Sequence, residues 1–295
     1  MFVDAIERIK SFTRPIHSIA RLHGYGPIVP GSATLFFINE LGDALTCRHV
    51  AVNIERSAKI NRNYKLYKGK EAEFRNHPDK ARLQRDLQNQ YGIKDDTIKQ
   101  LHHAYINCVE GGDEPTIILH PSEHIDLAIV RFRNYARPLY TSYATFLKDS
   151  VRIRPGRTLC RLGFPFPEFS NFKYDGYTDD AVWTDEPPRY MSFPSDGMIT
   201  RLLRNKGGIT EIEMSTPGLV GQSGGPLFDT NGLIYGLQSA TDQLHLGLDI
   251  EDKEVLVKNR RSRVSNYPFL QVGICVHVDR IKEFLRASDV KFYQA

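Results

Sequence analysis

Residues 218–228 read GLVGQSGGPLF. A serine inside Gly-x-Ser-Gly-Gly-Pro needs a physical reason. Acyl transfer requires an exposed hydroxyl on a tight turn whose backbone N–H groups point at a carbonyl oxygen. Glycines permit both that curl and the close approach of a substrate. Ser223 is therefore the candidate nucleophile, and the N–H groups of Gly221 and Ser223 are the candidate oxyanion hole. A bare Gly-x-Ser-x-Gly would point to a strand-turn-helix elbow, but here Gly225-Pro226 runs into a strand.

A serine hydroxyl is a weak nucleophile until a base takes its proton. His49, in LTCRHVAV, sits at the end of an apolar strand and is the candidate base. The imidazole must in turn be oriented by a carboxylate. Asp126 directly precedes the apolar run LAIVRF and is the candidate; Asp113 and Glu123 are the other acidic residues nearby. His102, His103, Cys108, His120 and His124 match no metal-ligand spacing, and acyl transfer through serine needs no cofactor. EDTA is expected to leave activity intact.

Outward from these residues the texture is short β-rich runs. GSATLFFINELGDALTCRHVAV (31–52) turns at Glu40-Leu41-Gly42-Asp43. TIILHPSEHIDLAIVRF, VRIRPGRTLCRLG, LIYGLQSA and FLQVGICVHV follow the same style, and 197–214 reads as a hairpin across Asn205-Lys206-Gly207-Gly208. No long helices alternate with the strands, so an all-β barrel or sandwich is expected. Three segments depart from it. Phe2, Ile6, Ile9, Phe12, Ile16 and Ile19 recur at helical spacing and predict an N-terminal helix, interrupted near Pro15. Leu83, Leu87, Ile98, Leu101 and Tyr105 predict a helical insertion over about 55–110. Asp279–Arg286 (DRIKEFLR) predicts a closing helix. Residues 241–266 read as a mobile loop and 164–195 as ordered irregular loop.

The chain has 295 residues, with 39 Lys+Arg against 35 Asp+Glu, a formal +4. Segment 55–110 holds 12 basic and 8 acidic residues, and 12 − 8 equals that whole excess. So mild a charge gives no case for nucleic acid or an anionic membrane as the main partner. The insertion could dock a regulatory protein. No apolar run approaches the 18 residues of a membrane span. The charged N-terminus lacks the apolar core of a secretory signal, and four dispersed cysteines form no CxxC pair. A cytoplasmic protein with free thiols is expected.

In the order His, Asp, Ser, the chain resembles the trypsin-like serine peptidases, and within them the HtrA/Deg-like branch. GSATLFFINELGDALTCRHV resembles that branch's glycine-serine strand, hairpin and Thr-x-x-His-Val segment. RPGRTLCRLGFPF resembles its strand ending in Gly-x-Pro, and SDGMITR its Ser-x-Gly-Ile segment. The resemblance implies two six-stranded antiparallel β-barrels with the active site in the cleft between them. It implies His49 as general base then acid, Asp126 as orienter and an acyl-enzyme on Ser223, acting on protein or peptide substrates. With the segments read above, the chain is expected to divide into an N-terminal helix at 1–23, a first barrel at 24–150 carrying the insertion, and a second barrel with closing helix at 151–295. The PDZ domain usual in HtrA proteins is not in this chain, and the insertion is outside the family pattern. By the same resemblance, Pro217, Ser239, Ala240, Thr241 and Gly273 line the S1 pocket. None is charged, so an uncharged P1 residue is expected. The competing expectation is a silent or latent scaffold on the same fold.

Overall fold

The computed structural model describes residues 1–257 and 260–295. In the first half, α1 (Val3–Lys10) leads into β1 (Thr13–Leu22), β2 (Val29–Phe37) and β3 (Asp43–Thr46). Two helices follow, α2 (Arg48–Glu73) and α3 (Lys80–Gln90). Then come β4 (Ile98–Tyr105), β5 (Val109–Glu110), β6 (Thr116–Leu119), β7 (Ala128–Arg131), β8 (Arg137–Pro138) and β9 (Thr145–Phe146). The second half begins with β10 (Thr158–Gly163), β11 (Phe172–Asp175), β12 (Asp180–Trp183), β13 (Phe193–Asn205) and β14 (Gly208–Met214). It continues through β15 (Pro226–Phe228), β16 (Leu233–His245), β17 (Ile250–Val257), β18 (Arg260–Asn266) and β19 (Phe269–His277), and ends with α4 (Val278–Ala287) and β20 (Tyr293–Gln294).

The expected all-β, chymotrypsin-like architecture is present. In the second half, β15-β10-β13-β14-β19-β16 pair in sequence and β15 also pairs with β16, closing an antiparallel ring of six strands. In the first half, six strands run β4-β1-β2-β3-β7-β6, and no ladder joins β4 to β6 among the described residues. Helix α2 covers that seam. The Asn61 side chain accepts from Leu101 N (2.9 Å) and donates to Leu101 O (3.0 Å), standing in for a neighbouring strand. One hydrophobic core runs through both barrels, from Phe12, Phe36, Phe37 and Ile129 to Leu159, Leu227 and Val276. Phe36 and Phe37 are fully buried, and truncating either to Ala would cost about 3–5 kcal/mol.

The structure corrects several expectations. The N-terminal helix is Val3–Lys10, not 1–23; residues 13–22 are β1, paired with β2 and β4. Pro15 cannot donate within a helix. The inward positions of β1 include His17 and Arg21, both buried, which hide the apolar alternation of a strand. His17 stacks on Phe169 at 3.9 Å, and Arg21 reaches Gln100 and Asp179. The insertion boundaries 55–110 also fail: helix begins at Arg48, and 98–105 is barrel strand β4 rather than helix. Of the segment read as a loop, residues 250–257 and 260–266 form the β17–β18 hairpin, and 241–245 extend β16. Lys258 and Asn259 lie outside the described residues. Within 164–195, β11 and β12 form a second hairpin. The 205–208 turn is as expected, with Asn205 opposite Gly208.

Candidate active site

The turn carrying Ser223 is wedged between the barrels. Gly221 and Gly224 adopt φ values of +98° and +88°, open to glycine at little cost. A Cβ on Gly224 would strike the carbonyl of Thr34 in β2, and one on Gly225 that of Leu162 in β10. Thr34, fully buried, stitches the turn to the first barrel. Its N–H donates to Ser223 O (2.9 Å), its hydroxyl donates to Gly221 O (2.8 Å), and the same hydroxyl accepts from Phe164 N (3.2 Å). Gln222 braces the turn from within: its Oε1 accepts from Leu219 N at 3.0 Å. The N–H groups of Gly224 and Gly225 are taken by Gln238 O and Gln222 O, both at 2.8 Å. Those of Gly221 and Ser223 have no acceptor among the described residues.

His49 is the second residue of α2, where backbone N–H groups lack intrahelical partners. Asp126, just before β7, answers both needs of that position. Its Oδ1 accepts from His49 N (2.9 Å) and its Oδ2 sits 2.7 Å from His49 Nδ1. Ser239 Oγ donates to the same Oδ2 at 2.8 Å. Burial alone would raise the Asp126 carboxyl, but the hydrogen bonds from His49 and Ser239 outweigh it and hold it below its ordinary value. Asp113 and Glu123 do not take this place: Asp113 bonds Asn134, and Glu123 lies 3.9 Å from Arg48. Ser223 Oγ lies 3.4 Å from Ser239 O.

The five residues expected around S1 come together. Thr241 faces Gly273 across β16 and β19, and its hydroxyl donates to Gly218 O at 2.7 Å. Ser239 and Ala240 precede it on β16. Pro217 O accepts from Arg161 Nη2 at 3.0 Å. Arg161, Gln238 and Thr216 lie beneath this group and were missed in the sequence, as was the bond from Ser239 to Asp126. The available signal was a lone cation inside the otherwise apolar TLCRLG strand.

Cys47, His49 and Asp126 present ligand atoms within 4.8 Å of one another. The donor set fits a metal poorly. Burial, and next the Asp126 charge, push the Cys47 thiol well up, so it keeps its proton and donates to Gln238 O at 3.2 Å. His102, expected to be no metal ligand, lies 2.8 Å from Asp180.

The trypsin-like peptidase domain matches residues 31–237 of the chain. No curated protein matches its sequence. Among solved structures, the chain is similar to the active form of the Rv3671c protease from M. tuberculosis. That match has 13% identity and a TM-score of 0.47 and covers 98% of this chain and 86% of that one. It is also similar to the HtrA-type protease AlgW with a tripeptide, at 14% identity and a TM-score of 0.46, covering 97% of this chain and 63% of AlgW. With the family's domain matched from the β2 strand to β16, and both barrels and the glycine-rich serine turn in place, this chain belongs to the trypsin-like peptidase domain family.

Proposed function

We propose that the protein is a serine endopeptidase acting through Ser223, His49 and Asp126. The observation that carries this reading is the pairing of His49 Nδ1 with Asp126, which leaves the other ring nitrogen, Nε2, as the proton acceptor. In the reaction, Ser223 Oγ attacks the peptide carbonyl carbon while His49 Nε2 takes the hydroxyl proton. The tetrahedral oxyanion is held by the unpartnered N–H groups of Gly221 and Ser223. Collapse breaks the C–N bond, and His49 returns the proton to the leaving nitrogen, giving an ester on Ser223. Water attacks that ester with His49 again as base. The acid product leaves and the proton returns to Ser223 Oγ. Only neutral imidazole can start this cycle.

The reading assigns residues 24–150 and 151–295 to the two barrels that meet at this site. It places the protein in a reducing cytoplasm, supported by four buried, unpaired cysteines. Helix α2, which begins beside His49, and α3 after it offer the surface for a regulatory protein partner.

One observation favours a second reading, a latent protease or scaffold: the hydrogen bond of Ser223 Oγ goes to Ser239 O, so the hydroxyl must rotate before His49 can take its proton. Exposure of a proteome to purified protein, followed by sequencing of new peptide N-termini, tests the two. New termini with wild type and none with Ser223→Ala support the endopeptidase; none with either protein favours the scaffold.

A further inference from the structure

We propose that the S1 pocket selects an acidic P1 side chain, with Arg161 supplying the positive charge. This rests on the hydrolytic reading above and replaces the neutral floor expected from sequence. Arg161 in β10 is fully buried and is the largest such side chain among the described residues. A guanidinium stays charged, and burying it is costly unless an opposite charge compensates. No carboxylate does so among the described residues. Its acceptors are neutral: Gln238 Oε1 (2.7 Å), Thr216 O (3.0 Å), Thr216 Oγ1 (2.5 Å) and Pro217 O (3.0 Å). Its Nε–H is buried with no partner among the described residues. The thiols closest to it electrostatically, Cys160 and Cys275, are pushed up by burial to about 12 and stay uncharged.

The charge lies behind the wall of the expected pocket, against Gly273. A Cβ on Gly273 would collide with the guanidinium, so glycine there keeps the space that Arg161 fills. Arg161 also fixes the direction of the Gln238 amide. By donating to Oε1 it turns Nε2 the other way, toward Ala240 O (2.8 Å) and against Gly218 on the pocket wall. Two donors therefore border the pocket: the Gln238 amide, buried beneath Gly218, and the exposed Thr241 hydroxyl, which now rests on Gly218 O. A P1 carboxylate accepting from both would end one amide away from the cation. An uncharged amide of the same shape would gain nothing from Arg161, and a basic side chain would be repelled by it. Arg161 acts through Gln238 and is a positioning residue.

The test uses the full chain and peptides that differ only at P1. A Glu peptide should be cleaved with kcat/KM at least tenfold above its Gln counterpart, with Asp between them and Arg poorest. Arg161→Met should bring the Glu-to-Gln ratio to about one while retaining cleavage of an Ala peptide, and Arg161→Lys should restore part of the ratio. A purely structural role would lower all peptides together. If Arg161→Met does not fold, wild type alone decides at neutral pH: its preference for the Glu peptide should be lost when the P1 carboxylate is blocked as its methyl ester, which removes the charge and leaves the rest of the peptide unchanged. Equal or better cleavage of Gln, Ala or Val peptides by wild type overturns the inference. Fluorophosphonate labelling of Ser223 in the same preparation separates the two levels. Labelling without acidic preference removes the specificity proposal alone; no labelling and no cleavage remove both.

Discussion

The two barrels close by different means. The second closes backbone to backbone, with β15 paired to both β10 and β16. The first leaves one edge of β4 without a strand and covers it with α2, using the Asn61 side chain in place of a ladder. The same helix presents His49 at its start. What seals the first barrel is therefore continuous with what carries its contribution to the site. Helix α2 is further tied to the second half through Asp179, which accepts from Tyr64 (2.8 Å) and pairs with Arg21 (3.1 Å). The second barrel needs no such help, and its contribution, the Ser223 turn, is rigid through glycine geometry and Thr34.

The largest expected effect tests whether the barrels share one reaction. Ser223→Ala from the second and His49→Ala from the first should each lower kcat by about 10⁶, and the double variant should be no worse than either. Additive losses would contradict a joint mechanism. Next comes Gly224→Ala, which drives a methyl into Thr34 O and unseats the turn. It should cost about 10²–10³ in kcat, as for loss of an oxyanion donor. A variant with wild-type turnover would show that the turn tolerates this shift.

Acid should loosen the first barrel before the second. Burial lowers His17, His103 and His277 to about 4, and the unfolded chain protonates each near 6.5. The unfolded state therefore binds more protons between those values, so stability is lost as pH falls from about 6.5 to 4, with about three protons taken up on unfolding. Two of the three lie on β1 and β4. Hydrogen exchange on these strands should rise before exchange on β13 and β14, and the reverse order would break the comparison.

Smaller effects locate the two stitches. Thr34→Val leaves Gly221 O and Phe164 N unpaired and should cost about 1–3 kcal/mol in denaturant unfolding. Asn61→Ala should cost about 1 kcal/mol, with faster exchange confined to residues 98–105. Uniform change across both barrels would show that Asn61 does not seal a local edge.

The sequence made the Ser223 turn legible because its demands are local: glycines at left-handed φ, a proline entering a strand, and a hydroxyl between them. His49 and Asp126 followed from the chemistry that the hydroxyl requires. The β1 and β4 strands were hidden for a physical reason. Their inward positions carry Arg21 and Gln100, which bond each other and Asp179 in the β11–β12 turn, and His17, which stacks on Phe169, so apolar periodicity misreads both as helix. Arg161 was missed likewise, because its acceptors are backbone and amide oxygens more than 50 residues away.

The most direct measurement is intact-mass analysis after treatment with a fluorophosphonate, which reacts with a serine only when a base activates it. The account predicts one adduct, mapped to Ser223, absent in Ser223→Ala and greatly slowed in His49→Ala. No adduct on wild type, or an adduct unaffected by His49→Ala, would contradict it.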